Sequence, residues 1–359
     1  MKDTASLDSE LIPARKLIYD LSLPEIMTLL TSWGEKEYRA KQIWQGLYQQ
    51  FWHSPEQFTT LPKSLQQKLA DAFSFAALTP IRSLVSKDTN TIKTLFRLPD
   101  SHAIEAVLMR YEQRRTLCIS TQVGCAMNCS FCATGQMGFN RHLASGEIVE
   151  QVMYYARELA RQQEAVTNVV VMGMGEPFHN YEATMQAIDR LNDHEGFNLG
   201  ERRFTISTVG LVPVIRKFAA EKRQINLAIS LHAANDSLRS SMLPINNTYP
   251  VEELIAACRD YVDLTHRRIT FEWALIQGVN DSLQEARKLA ALLHGLLCHV
   301  NVIPLNPTDQ FAGQATTRTQ AEAFKAELEK QGIPCTIRLR RGLEIGAGCG
   351  QLAAANPSL

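Results

Sequence analysis

Hydrophobic positions recur along this chain at two different periods, and the change from one to the other divides it. Near the start, Pro24 suits a first helical position, Ile26, Leu29 and Leu30 fall on one face, and Gly34 ends the run. Ala40, Ile43, Trp44, Leu47, Tyr48 and Phe51 then recur at i, i+3, i+4, i+7, i+8 and i+11, an amphipathic helical stripe. A third helix is expected from about Pro62, with Leu61, Leu65, Leu69 and Phe73 inward and Lys63 and Lys68 outward. The pattern predicts a small helical domain over residues 1–85.

From about residue 86 the runs become short and β-branched, and from Thr116 they alternate with helical ones. The strand-like runs are TLCIS (116–120), NVVVM (168–172), FTIST (204–208), NLAISL (226–231), ITFEWAL (269–275) and VNVIPL (300–305). Helical segments such as 146–161 and 251–264 lie between them. Apolar strands separated by helices predict a parallel sheet covered by helices. Six units suit an α/β fold of partial (βα)6 barrel type over residues 86–359, with its chemistry at the carboxyl ends of the strands. A further strand-like run, CTIRLRR (335–341), precedes a glycine-rich tail.

Composition is that of an ordinary globular chain, 45% hydrophobic and 21% charged. The opening MKDTASLDSELIPARK lacks the apolar stretch of a secretory leader, and the most apolar later run, 289–305, is interrupted by His294, His299 and Asn301. A soluble, cytoplasmic protein with no membrane attachment is expected. Eight cysteines in such a chain point to reduced thiols, metal ligands or catalytic groups before a disulfide framework. Formal net charge is zero, so any binding of nucleic acid must rest on local patches such as Arg114–Arg115, Arg202–Arg203, Arg267–Arg268 or Arg338, Arg340 and Arg341.

The densest chemistry lies just past the first core strand, where CAMNCSFC carries Cys125, Cys129 and Cys132. Three thiolates suit an iron-sulfur cluster with one iron left open, or a zinc ion completed by a remote ligand. Phe131 either shields such a cluster or is a core aromatic. MGMGEP follows the second strand, bringing Gly175 and Glu176, either a tight turn or a carboxylate ready for an ammonium group. Ser207, Ser230, Leu231, His232 and Asn306 end later strands; singly such residues cap turns, but together they mark a pocket. In GLEIGAGCGQL the glycine-flanked Cys349 is suited to a reactive role rather than to core packing. Cys118 ends the first strand as a core residue or a reactive one, and Glu105 in AIEAVLM is an outward-facing strand residue or a poised base.

The C-x3-C-x2-C spacing resembles that of the radical S-adenosylmethionine (SAM) enzymes. With RAKQIWQGLY, LPKSL, QVGCAMNCSFCATGQMGFNR, NVVVMGMGEP, ISLHAAND, PLNP and the closing CGQL, most of the chain is similar to the radical SAM RNA adenine methyltransferases of the RlmN/Cfr family. That resemblance implies methylation at carbon 2 of an adenine in the peptidyl-transferase region of 23S rRNA and in tRNA next to the anticodon. It implies a 4Fe-4S cluster on Cys125, Cys129 and Cys132, two SAM molecules per turnover, and SAM contacts from Gly175, Glu176, Ser207, Ser230, Leu231, His232 and Asn306. In the family scheme Cys349 takes a methyl group from one SAM. A second SAM is cleaved reductively, the resulting radical removes hydrogen from the S-methyl group, and the carbon radical adds to the base. The enzyme–RNA crosslink is released as Cys118 forms a disulfide with Cys349, and Glu105 is the proton acceptor. An external electron donor and a monomeric enzyme are implied too, as is contact with RNA by the helical domain over residues 1–85 and by local arginines. Two positions depart from the family pattern: Glu344 stands where aspartate is usual, and Gly348 where alanine is usual. The rival readings are a carbon 8 enzyme of the same family and a non-catalytic, metal-stabilised RNA-binding protein.

Overall fold

The computed structural model describes residues 15–338 and 340–354. Three helices form the N-terminal unit: α1 (Leu23–Ser32), α2 (Tyr38–Tyr48) and α3 (Lys63–Ala72). The first is set by a capping box, in which Ser22 and Glu25 satisfy each other's backbone amides, with a proline in its first turn. Ala40, Ile43, Trp44, Leu47 and Tyr48 are buried as the stripe requires. Phe51, at φ 60°, lies beyond the end of its helix and is half-buried.

A ten-stranded sheet follows, and its strands lie side by side in chain order. They are β1 (Thr79–Val85), β2 (Thr91–Arg97), β3 (Ala103–Arg110), β4 (Arg115–Cys118), β5 (Asn168–Val171), β6 (Phe204–Thr208), β7 (Asn226–Ser230), β8 (Ile269–Leu275), β9 (Cys298–Pro304) and β10 (Cys335–Ile337). Pairing is antiparallel from β1 to β4 and parallel from β4 onward. The six expected runs therefore form β4 to β9, and CTI adds a seventh parallel strand. The sheet itself begins at Thr79, earlier than the change in sequence pattern suggests.

Six helices cover the parallel strands: α4 (Ser145–Ala160), α5 (Tyr181–Asn192), α6 (Val212–Ala220), α7 (Val251–Thr265), α8 (Leu283–Leu293) and α9 (Arg318–Lys330). Leu117, Val169, Phe204, Ile206, Leu227, Ile229, Phe271, Trp273, Val300 and Val302 are buried on the helix-facing side, in a core shared with the N-terminal helices. The alternate residues mix small or apolar side chains, such as Val170, Ala228 and Ala274, with polar ones. Ser230 pairs with Glu272, Glu272 with Asn301, and Asn301 with Thr336, so one row of polar side chains crosses four strands on the face away from the helices, where a site can form.

The N-terminal unit is docked on α4 and α5. Asp20 accepts the Gly146 amide at 2.7 Å, its carbonyl accepts from Arg190 at 2.7 Å, and Gly196 leaves room for the Trp44 indole, to which an added Cβ would come within 2.7 Å. Among the described residues no helix is long and apolar enough to cross a membrane.

Candidate active site

Cys125, Cys129 and Cys132 sit in a loop clamped by a short antiparallel ribbon, in which Gln122–Gly124 pairs with Phe139–His142. The clamp requires glycine at 124: φ is +73° and a Cβ there would lie 1.9 Å from the Gly138 carbonyl oxygen, the same oxygen that accepts the Cys125 amide at 2.8 Å. Burial pushes the Cys125 thiol up to about 12 and the Cys129 thiol well above its ordinary value, and the neighbouring thiols add to both shifts.

All three cysteines open on one cavity at the carboxyl ends of the strands, enclosing ≈ 1080 Å³ with its open mouth included. Gly175, Glu176, Ser207, Ser230, His232, Asn306 and Cys349 line the same cavity. Gly175, at φ +101°, lies against Gln122, whose side-chain oxygen accepts the Glu176 amide at 2.8 Å. The Glu176 carboxylate accepts the amides of Phe178 (3.0 Å) and Val209 (2.9 Å), while burial pushes its pKa up to about 7. Ser207 and Ser230 hydroxyls stand 3.4 Å apart. His232, at φ 60°, accepts the Ala274 amide on Nδ1 at 2.9 Å; burial drives its pKa down to about 3, so it is a neutral imidazole with its proton on Nε2. Phe131 packs edge-on against it at 4.9 Å between centroids, between the cysteine loop and the strand ends. Leu231 differs: its side chain is buried in the core, and its backbone alone stands at the strand end.

Cys349 reaches this cavity on a strap made of the last described residues. Ala133 donates to the Gly350 carbonyl (2.8 Å), Thr134 to that of Leu352 (2.6 Å), and Asn306 Nδ2 to that of Cys349 itself (2.9 Å). Gly348 lies flat on Asn306, where a Cβ would come within 2.7 Å of Nδ2. Glu344 holds the Lys87 amide at 2.9 Å, tying the root of the strap to the β1–β2 turn. The Cys349 side chain is exposed along the cavity yet surrounded by protein, so it is both reachable and desolvated; burial pushes its thiol up to about 11. Cys118 is half-buried nearby, its thiol pushed up to about 12 by burial and then by Cys349. Both thiols are free in the structure. Glu105 lies beneath the strap, buried, with one oxygen 2.8 Å from Lys93 Nζ and the other accepting the Ala353 amide at 3.0 Å.

Residues 119–290 match the family model of the radical SAM superfamily, and residues 17–74 that of the ribosomal RNA large subunit methyltransferase N-terminal domain. A probable dual-specificity RNA methyltransferase RlmN of Chloroflexus aurantiacus is 46% identical over 350 residues, covering 94% of this chain and 93% of the relative. Dual-specificity RNA methyltransferase RlmN 1 of Myxococcus xanthus is 47% identical, covering 94% of each chain. A solved radical SAM methyltransferase from Sphaerobacter thermophilus superposes with a TM-score of 0.93 at 51% identity, covering 95% of this chain and 100% of that one. The chain belongs to the RlmN family. It has the radical SAM fold and is a radical SAM methyltransferase.

Membership of the RlmN family implies a 4Fe-4S cluster and SAM, and the residues present fit both. The three thiols are near enough to perturb one another and open on one cavity, and soft thiolates suit an iron-sulfur cluster. Asn306 Oδ1 is buried with no hydrogen-bond partner among the described residues, leaving an acceptor for a ligand with N–H or O–H groups.

Four residues of this RlmN-family site were not singled out from sequence. Gln122 braces the Gly175 turn. Arg239, fully buried, donates to the strand-end carbonyls of Val209 (2.6 Å), Ser230 (3.2 Å) and Leu231 (3.1 Å). Glu272 lines the cavity; burial raises its carboxyl pKa, and its Oε2 lies 3.7 Å from Arg338, an ion-pair distance too long for a hydrogen bond. Arg338 was noted only as part of a surface patch, yet it opposes the upward shift of both Cys118 and Cys349. For Glu272 a signal existed: a carboxylate in the middle of an otherwise apolar strand.

Proposed function

We propose that the chain methylates carbon 2 of an adenine in 23S rRNA and in tRNA by way of an S-methylated Cys349. The observation that supports this most is the shared cavity, into which Cys349 and the three loop thiols both open, with Cys118 alongside. An adenine C2–H is no nucleophile, so the methyl carbon must itself be activated where the base can reach it. Cys125, Cys129 and Cys132 would hold the 4Fe-4S cluster with one iron open to SAM. When bound, that cluster supplies the electron that splits SAM reductively.

The chain's own residues do the rest. Glu176, with Gly175 freed of a side chain, receives the SAM ammonium; Ser207, Ser230, Asn306 and the Leu231 backbone receive its remaining polar groups. His232, neutral and packed against Phe131, would contact SAM as well, and Phe131 would shield the cluster from water. Cys349 accepts a methyl group as a thiolate and later presents the methyl carbon to the base, while Asn306 holds its carbonyl in place. Arg338 favours the thiolate forms of Cys349 and Cys118. The Cys118 thiolate would attack the Cys349 sulfur, forming the S–S bond as the bond from that sulfur to the base-borne carbon breaks. The electron pair of the broken bond stays on that carbon, which takes up a proton, and the external reductant then reopens the disulfide. Glu105 is the family's proton acceptor, but here it must first let go of Lys93 or of the strap. The enzyme acts as a monomer in the cytoplasm, takes two SAM per turnover and draws on an external reductant. The deciding experiment is nucleoside mass mapping of 23S rRNA and tRNA treated with anaerobically reconstituted enzyme and SAM. The expected product is 2-methyladenine; 8-methyladenine alone, or no methylated adenine, overturns the reading.

A further inference from the structure

Zero net charge leaves this chain's affinity for RNA without an obvious source. Cations on the barrel are commonly neutralised at short range: Arg110 and Arg115 both pair with Glu164, and Arg223 pairs with Asp189 and Glu201. One group departs from this. At the β3–β4 turn the Tyr111 ring lies under two guanidiniums, Arg341 at 4.4 Å and Arg114 at 5.1 Å from its centroid. Arg341 also donates to the Arg110 carbonyl at 3.3 Å, and Arg340, beside it in sequence, is exposed. Among the described residues no carboxylate lies within ion-pair distance of Arg114, Arg340 or Arg341, and Glu112 at the tip of the turn reaches none of them.

Two like charges over one ring, with no ion pair to either and only Asp88 in Coulombic reach of Arg341, oppose folding and suit a surface where a polyanion supplies the missing charge. The ring holds the guanidiniums in place, so their outer faces and N–H edges are presented ready for base stacking and phosphate. The position is also apt. Arg338 lies within Coulombic reach of Tyr111 and also of Cys118 and Cys349.

We propose that Tyr111, Arg114, Arg340 and Arg341 form a ridge that holds the unpaired RNA strand flanking the target base while that base enters the cavity beside Cys349. This rests on the reading of the enzyme as an RNA methyltransferase and adds where the strand lies. An unpaired segment fits better than a duplex, because a guanidinium face needs an unstacked base edge and the target must leave its stack to reach a buried thiol.

The test is fluorescence anisotropy of reconstituted enzyme with a labelled RNA hairpin whose loop carries the adenine, and with a fully paired duplex of equal length. The Arg114→Gln/Arg341→Gln double variant is expected to bind the hairpin about tenfold more weakly at 0.1 M salt, and the slope of log K against log salt to fall by about 0.7 per lost phosphate contact. Transfer of methyl from SAM to Cys349 without RNA should be unchanged, showing that the fold is intact. Arg340→Gln, at an exposed position, provides an independent arm with about threefold weakening expected. Hairpin binding at wild-type strength in both variants overturns the proposal, as does an equal preference for the duplex. If the wild type binds the hairpin through these arginines but methylates no adenine, the ridge stands and the assigned reaction fails.

Discussion

In the proposed reaction Cys349 acts through a thiol that lines the cavity, and Cys118 through a free thiol close enough to feel it. Loss of Cys349 should prevent both self-methylation and crosslinking, whereas Cys118→Ala should accumulate a covalent protein–RNA species visible on a denaturing gel. Normal turnover by Cys118→Ala with no such species would remove its releasing role. Glu105 poses a sharper choice, because both its oxygens are already engaged. If it is a free base, Glu105→Gln should methylate Cys349 at the normal rate and stop afterwards, and Lys93→Met should leave the enzyme largely active. If it is an anchor for the strap, both variants should slow Cys349 methylation itself, roughly tenfold or more, since a nucleophile displaced by about 1 Å loses on that order of rate. Rapid-quench measurement of methyl-Cys349 formation, with trypsin sensitivity of the C-terminal segment as a second readout, separates the two.

At the scale of elements, the parallel strands were legible because each one buries an apolar face against helices, and β-branched residues mark that face wherever it runs. The cysteine loop was legible because its three thiols lie within eight residues of sequence. Arg239 was not, since it serves the carbonyls of Val209, Ser230 and Leu231, whose convergence exists only once β6 and β7 are in register. Glu272 and Asn301 likewise become a pair, 3.0 Å apart, through the register of β8 and β9. Sequence periodicity identifies faces of strands; it carries no information on which ends are tied together. Arg239→Met removes the guanidinium from all three strand-end carbonyls, leaving that of Leu231 with the Ala233 amide (2.8 Å), and should cost about 3 kcal/mol in urea unfolding. Arg239→Lys, with charge but no planar fork, should recover only part of the loss. Equal stability of Arg239→Met and wild type would show that these strand ends hold without the guanidinium.

For the whole molecule, the junction between helical unit and barrel contains the clearest source of pH dependence. Glu150 on α4 accepts the amides of Ala77 (2.6 Å) and Leu78 (3.2 Å), on the segment that joins α3 to the sheet. Burial pushes its carboxyl up to about 7, although those amides and Arg157 oppose the shift; Glu147 adds to it, and Tyr19 stands close enough to feel the charge. Below the unfolded value of 4.5 both states carry the proton, and between 4.5 and about 7 the folded state alone keeps it. The contribution to stability is therefore fully present under acidic conditions and is lost as pH rises through that window, by on the order of 3 kcal/mol. Glu150→Gln retains an acceptor for the linker amides but has no charge to bury. Its melting temperature should therefore gain steadily on the wild type between pH 5 and pH 8. The gain should appear in the same transition whether followed by tryptophan fluorescence, to which Trp33, Trp44 and Trp52 of the helical unit contribute beside Trp273, or by far-ultraviolet circular dichroism, since both units share one core. Parallel melting curves for the two proteins across that range would place the titration elsewhere.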